Sequence, residues 1–377
     1  MVARFVHHGE RASKSAQGHV ATGPYRKRVG CVNVIVSPEG LAVKKIEKIS
    51  QPQKVWGWEI AVYLFLAGMG AGAYSVGVIL GWTWNLSVLV KIFHVNFDVA
   101  KGILYGGPLL VAIGAPFLIV DLGIKERFLY ACLNPRTSWV ARGFLILSTF
   151  IILGLIVFGT SLLFPGVDLR GSPFWTLLEA ITLLLAVSTA LYTGILLKSV
   201  RYVPIWNTLW LPVLFLASAL STGSTAIVLA MMACGLAFPE AQELLVRAHQ
   251  VASLERILIL MEGVILAFYL YTTYRKKEEG EVSVRLLFMG KLRWLFWGGI
   301  VFLGFLFPFV LELLSTWQPD QLILLLVTGI SLLLGGFFLR WAILASGVKA
   351  KHPLHKFLEL RATLGPSIPK GRGDLTR

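Results

Sequence analysis

About eight stretches of apolar residues, each near twenty residues long and separated by short polar connections, leave this chain one class of fold. They lie near 55–82, 102–122, 139–164, 175–197, 206–233, 253–274, 294–315 and 321–344. An α-helix rises about 1.5 Å per residue, so roughly 20 residues cross the ~30 Å hydrocarbon core of a bilayer. Inside that core each backbone amide must be bonded within its own segment, which a helix achieves and an isolated strand does not. The expectation is an all-α integral membrane protein with about eight transmembrane helices in two four-helix groups. Composition agrees: 15% of residues are charged, where a soluble domain carries about 25%.

Three regions follow. Residues 1–54 are basic and polar, with no apolar run of the kind a cleavable leader needs, and read as a largely disordered segment. Within it Cys31–Val36 and Leu41–Ile46 flank Ser37–Gly40 as a candidate short hairpin. Residues 55–344 form the transmembrane domain, and 345–377 a basic tail. Lys125, Arg127, Arg136, Lys198, Arg201 and the run Arg275, Lys276, Lys277 fall on the same side as both flanking segments. Lys91, Lys101, Arg170 and Arg247 fall on the other. The positive-inside rule then places both termini in the cytoplasm, for a multi-pass protein of the plasma membrane. The formal net charge of +15 is explained by these flanks and loops against anionic lipid. No soluble basic domain exists to bind nucleic acid.

Cys31, Cys132 and Cys234 are far apart, so a metal or iron–sulfur site held by this chain alone is not expected. None of the seven histidines sits at the centre of an apolar segment, which argues against a bis-histidine haem in the bilayer.

The first span, Val55–Trp82, is unusual. It opens on Trp56 and Trp58, the composition of a membrane interface. Glu59 and Tyr63 follow at i, i+4, on one helix face. Gly68, Gly70, Ala71, Gly72 and Ala73 then strip the helix to its backbone for close packing. A carboxylate and a phenol there look like a site; an interfacial aromatic beside a solvated acid is the alternative. Glu179, Glu255 and Glu262 lie in or at the edges of spans, and Glu255 and Glu262 share a face. An acid in hydrocarbon costs about 2.5–3.5 kcal/mol, so such groups face a bundle interior. They form a candidate proton path toward His94, Asp98 and His249, or structural pairs such as Glu255 with Arg256.

Several runs together resemble the NrfD/polysulfide-reductase membrane-subunit family. The first is WEIAVYLFLAG from Trp58 to Gly68. The second is Asp121-Leu-Gly-Ile-Lys-Glu-Arg127-Phe followed by Asn134-Pro-Arg-Thr-Ser138-Trp139. The third is Tyr192-Thr-Gly-Ile-Leu, then Pro204-x-Trp206, then Leu211-Pro212-x-x-Phe215-x-x-Ser218-Ala-x-x-Thr222-Gly223. The resemblance covers about 58–225; the later helices match in hydropathy and in a Glu-bearing sixth helix.

The resemblance implies a quinone- or quinol-interacting subunit of an oxidoreductase complex, haem-free and without its own iron–sulfur cluster. The quinone would be menaquinone or similar. Electrons would pass to or from a ferredoxin-like iron–sulfur subunit, often attached to a molybdopterin catalytic subunit. On this reading Glu59, Tyr63 and Asp121 are the catalytic and quinone-binding groups, with Ser218 and Thr222 bordering the pocket. Arg127 and Arg136 dock the partner, and Glu179, Glu255 and Glu262 move protons, so turnover is coupled to proton translocation. In the best-known members the partner lies outside the cytoplasm, on the side of the Asp121 loop, whereas the charge pattern here puts that loop inside. A secondary transporter, a proton channel and a passive membrane anchor are the alternative readings.

Overall fold

The computed structural model describes residues 56–84, 86–120, 138–165, 172–276, 278–317 and 322–348. Asp121, Arg127, Arg136, the candidate hairpin at 31–46 and the two flanking segments lie outside the described residues. The elements run α1 (Trp58–Thr83), β1 (Leu89–Ile92), β2 (Val95–Asp98), α2 (Val99–Tyr105), α3 (Gly107–Val120), α4 (Trp139–Leu163), α5 (Pro173–Lys198), α6 (Trp210–Ala237), α7 (Glu243–Tyr274), α8 (Glu278–Phe288), a π-helical segment (Leu295–Leu306), α9 (Phe307–Trp317) and α10 (Leu322–Ala345). The protein is thus a helical, multi-pass membrane protein. Among the described residues six helices are long and apolar enough to span, and the bent pair α2–α3 makes a seventh. The remaining expected segment is part of α7, which has 32 residues and carries Glu255, Arg256 and Glu262.

Burial identifies the centre. In α1, 78% of the apolar window is buried, against 28% in α4, so α1 is the inner helix and α4 faces lipid. α1 packs against α3, α5, α6 and α10, and α6 packs against α7. The α1–α6 crossing is made by glycines. A Cβ at Gly72 would overlap the Ala219 carbonyl, and one at Gly223 would overlap the Gly72–Ala73 backbone. Small residues let the two backbones meet where lipid offers no hydrophobic force of its own. Trp58 and Trp82, about half exposed, mark the two ends of α1, ~36 Å apart at 1.5 Å per residue.

Among the described residues two spans are interrupted, each at a proline. α2 and α3 bend by 44° at Gly106, because Pro108 has no N–H to offer the Leu104 carbonyl four residues back. That carbonyl lies against Gly77, where any side chain would collide with it. The other interruption is the π segment, which ends before Pro308. In π register the amide of residue 308 would bond to the Leu303 carbonyl; proline lacks it, and Ser331 Oγ donates to that oxygen instead at 2.7 Å.

A two-stranded antiparallel hairpin, Leu89 opposite Asp98 and Ile92 opposite Val95, precedes α2. The apolar-segment reading passes over it. Its two-residue turn is Phe93–His94, both at positive φ (45° and 67°). Asp98 ends the hairpin as the N-cap of α2, accepting from the Lys101 amide at 3.2 Å and from Ser87 Oγ at 2.8 Å.

Candidate functional site

An arginine in a membrane span is costly unless each of its donors finds an acceptor or a π-face. Arg340, in the later turns of α10, is fully buried. Its Nε donates to the Leu64 carbonyl of α1 at 3.2 Å. Nη1 donates to Ser218 Oγ of α6 at 2.9 Å and to the Gly336 carbonyl at 3.0 Å. The guanidinium carbon lies 5.6 and 5.7 Å from the ring centres of Phe65 and Phe215, a cation–π arrangement. Nη2 lacks a hydrogen-bond partner. It faces Gly68, where an added Cβ would stand 2.6 Å away. Glu262 of α7 has Arg340, Ser218 and Ser221 as neighbours. One buried cation thus gathers α1, α6, α7 and α10.

Ser218 and Thr222, expected at the quinone pocket, belong to this cluster. Thr222 Oγ1 donates to the Ser218 carbonyl at 2.7 Å. With Glu262, Gly304 of the π segment and Gly335 and Gly336 of α10, Thr222 lines a cavity of about 10 Å³, the room of one water molecule. One turn farther along α6, Thr225 Oγ1 donates to Glu255 Oε1 at 2.6 Å. Glu255 has Glu312 of α9 as a charged neighbour. Arg256, the alternative partner for Glu255, reaches Glu312 instead, Nε to Oε2 at 3.5 Å. Glu255 and Glu262 are therefore brought to one seam, with Glu312 and Arg340 added. Both additions were missed from sequence, yet each carries the signal that flagged the others, an ionisable residue inside an apolar span.

Glu59 and Tyr63 share a face of α1 but not an environment. Glu59 sits half-buried in the first turn, its carboxylate beside Gly57. A negative charge there is favoured by the exposed amides of the helix start. Tyr63, one turn in, is 1% exposed, and its hydroxyl has no hydrogen-bond partner. The residue after it, Leu64, supplies the carbonyl held by Arg340 Nε. Above them Trp56 stacks on Trp206 at 5.1 Å, and Trp206 Nε1 donates to the Ile343 carbonyl at 2.8 Å. That stack ties the start of α1 to the end of α10.

Glu179 is held differently from the other acids. Its two carboxylate oxygens accept from Trp82 Nε1 at 2.7 Å and Trp175 Nε1 at 3.0 Å. The indoles clamp the far end of α1 to α5. Asp98 is fully buried and occupied by its capping bonds and by Lys101 Nζ at 3.2 Å, so its part is structural. His94 is at the exposed hairpin turn, and His249 bonds through Nδ1 with the Leu245 carbonyl at 2.9 Å. Among the described residues no three His, Cys, Asp or Glu side chains converge as a metal site.

Comparison with known proteins accounts for most of the sequence. The family model described as "Polysulphide reductase, NrfD" matches residues 47–350, well past the region carried by the three sequence motifs. The C subunit of polysulfide reductase from Wolinella succinogenes is 31% identical over 276 residues, covering 68% of this chain and 83% of that protein. Protein NrfD of Escherichia coli is 27% identical over 325 residues, covering 78% of this chain and 95% of that protein. A homolog of NrfD from Haemophilus influenzae is 26% identical over 317 residues, with the same two coverages. The family match over residues 47–350, together with a relative 31% identical across 68% of this chain, makes this helical membrane protein a member of the NrfD polysulphide reductase family.

Proposed function

We propose that this protein is the membrane subunit of an oxidoreductase complex, exchanging electrons between a membrane quinone and a separate iron–sulfur subunit. The observation that carries the reading is the Tyr63 hydroxyl, buried and without a partner on the innermost helix. Leaving such a group unbonded costs about 1–3 kcal/mol, which a ligand oxygen at that position would recover. Relatives named as a polysulfide reductase subunit and as NrfD support the general assignment. On this reading the iron–sulfur partner is ferredoxin-like and is joined to a molybdopterin catalytic subunit.

A quinone, when bound, supplies two-electron, two-proton chemistry. Tyr63 holds a hydrogen bond to a carbonyl oxygen, and Glu59, half-buried above it, carries the proton to water. Asp121 borders the same site, while Arg127 and Arg136 receive the iron–sulfur subunit. Ser218 and Thr222 act on the site through Arg340 and the Leu64 carbonyl. Glu255 and Glu262, aligned along the α6–α7 seam with Glu312, form the route for coupled proton movement.

The test is a titration of the purified protein with a fluorescent quinone-analogue inhibitor, alongside thermal unfolding. Tyr63→Phe is expected to weaken binding about fivefold, the worth of one hydrogen bond, without lowering the unfolding temperature. Glu59→Gln is expected to slow turnover in the assembled complex more than it weakens binding. Binding and turnover that are unchanged in both variants would overturn the assignment of the site to α1.

A further inference from the structure

Where α7 ends at Tyr274, α7, α8 and the π segment enclose an apolar groove of about 790 Å³. Its floor runs along α7 from Gly263 to Tyr274. That is ~16 Å of helix at 1.5 Å per residue, close to half of a ~30 Å hydrocarbon core and so to the depth of one lipid leaflet. The deep end is open at Gly263, where an added Cβ would make only ordinary contact with the Phe305 ring at 3.7 Å. Leu266, Leu270 and Val301 continue the apolar wall. The shallow end is different in kind. Tyr274, Arg285 and Trp297 rim it, with aromatic tips of the type that sit at headgroup level.

Charge converges on that rim. α8 buries Val284 and Leu287 and turns Arg285 outward, where it pairs with Glu281 at 2.7 Å. Arg275 lies over the Tyr271 ring at 5.8 Å and donates to its hydroxyl at 3.0 Å. Lys276, Lys291 and Arg293, close to these residues in sequence, are exposed. Over residues 275–293 the six basic side chains, Arg275, Lys276, Lys277, Arg285, Lys291 and Arg293, outnumber Glu278, Glu279 and Glu281.

The geometry points to a binding site for an anionic phospholipid, one acyl chain lying in the α7–π groove and the phosphate held at the Arg285–Arg275 rim. An apolar trough one leaflet deep with a cationic, aromatic mouth matches such a lipid at both ends. A zwitterionic lipid fits the trough but gains nothing from the rim charge, since each Lys or Arg near a membrane surface favours an anionic headgroup. A second helix would need a groove running the length of α7, and this one is lined by α7 only from Gly263 to Tyr274.

The experiment uses the full-length protein in nanodiscs containing phospholipid brominated in its acyl chains, either phosphatidylglycerol or phosphatidylcholine at equal mole fraction. Bromine quenches tryptophan at contact, so the part of the quenching removed by Trp297→Phe reports the groove. Stronger quenching by the glycerol lipid is expected. That preference should fall about fivefold in Arg285→Gln, and the Trp297 component should vanish in Ala267→Phe, which fills the trough. Equal quenching by the two lipids, or a preference untouched by Arg285→Gln and Arg275→Gln, would overturn the proposal. So would displacement of the brominated lipid by menaquinone at equimolar amount, or its loss when a partner subunit is added. Native mass spectrometry of each variant confirms that a folded protein is being compared.

Discussion

Arg340 on α10 donates to Ser218 on α6 across 2.9 Å, joining residues 122 positions apart. The same guanidinium reaches the Leu64 carbonyl of α1. Three helices thus depend on one side chain that is fully withdrawn from solvent and lipid.

Removing that side chain should be severe. Arg340→Met strips the Leu64 and Gly336 carbonyls and Ser218 Oγ of their buried donor and Glu262 of its cationic neighbour, and each buried group left unbonded costs about 1–3 kcal/mol. Arg340→Lys should recover little, because one ammonium cannot span the carbonyl and hydroxyl acceptors that the planar fork reaches. Combining Arg340→Met with Glu262→Gln should restore part of the loss, since the buried acid that lacks its cationic neighbour is then gone. Thermal unfolding in detergent measures all three; a double variant no better than Arg340→Met would show that the two groups are not coupled.

Crossing glycines make a sharper test of packing. Gly72→Ala places a methyl on the Ala219 carbonyl and should destabilise by about 1–3 kcal/mol or more, because backbone cannot step aside as a side chain can. Gly159, on α4, has no heavy atom within 4 Å of an added Cβ. Gly159→Ala should therefore be neutral or raise the unfolding temperature, as alanine favours a helix by about 1 kcal/mol. Equal effects at the two sites would refute the α1–α6 contact.

The hairpin carries strain that can be relieved. A two-residue turn with positive φ at both positions suits Asn-Gly, and here it is Phe93–His94. Left-handed backbone at a bulky residue costs about 1–3 kcal/mol. The double substitution Phe93→Asn, His94→Gly should stabilise the protein. Because Phe93 is 95% exposed, little packing is lost. Hydrogen exchange of the Val90 and Phe97 amides, which face each other across the ladder, would register tighter pairing.

Glu179 and Glu262 should separate in function. Glu179→Gln leaves one of the two indole donors, Trp82 or Trp175, without its acceptor oxygen and should change indole fluorescence and lower stability by about 1–3 kcal/mol. Glu262→Gln should lower the proton-to-electron ratio of the assembled complex in vesicles, with a smaller effect on fluorescence. A ratio unchanged in Glu262→Gln would remove the α6–α7 seam from the proton route.

The sequence by itself determined the membrane class and the rough positions of the spans, because hydrocarbon tolerates only long apolar helices and so writes their lengths into composition. It also marked Glu255, Glu262 and the glycine-rich face of α1 as interior, since acids and bare backbone have no other favourable place in a bilayer. What it left undecided is which buried charges meet. Glu255 and Arg256 are neighbours in the chain, yet one turns to Thr225 and the other to Glu312. Arg340 and Leu64 are 276 residues apart. The i, i+4 spacing put Glu59 and Tyr63 on one face but could not show that one is half-buried and the other buried. Those outcomes depend on how helices cross, and a crossing is set by contacts between segments that no single segment encodes. Local rules fix what each helix must hide; only the packed bundle decides against what.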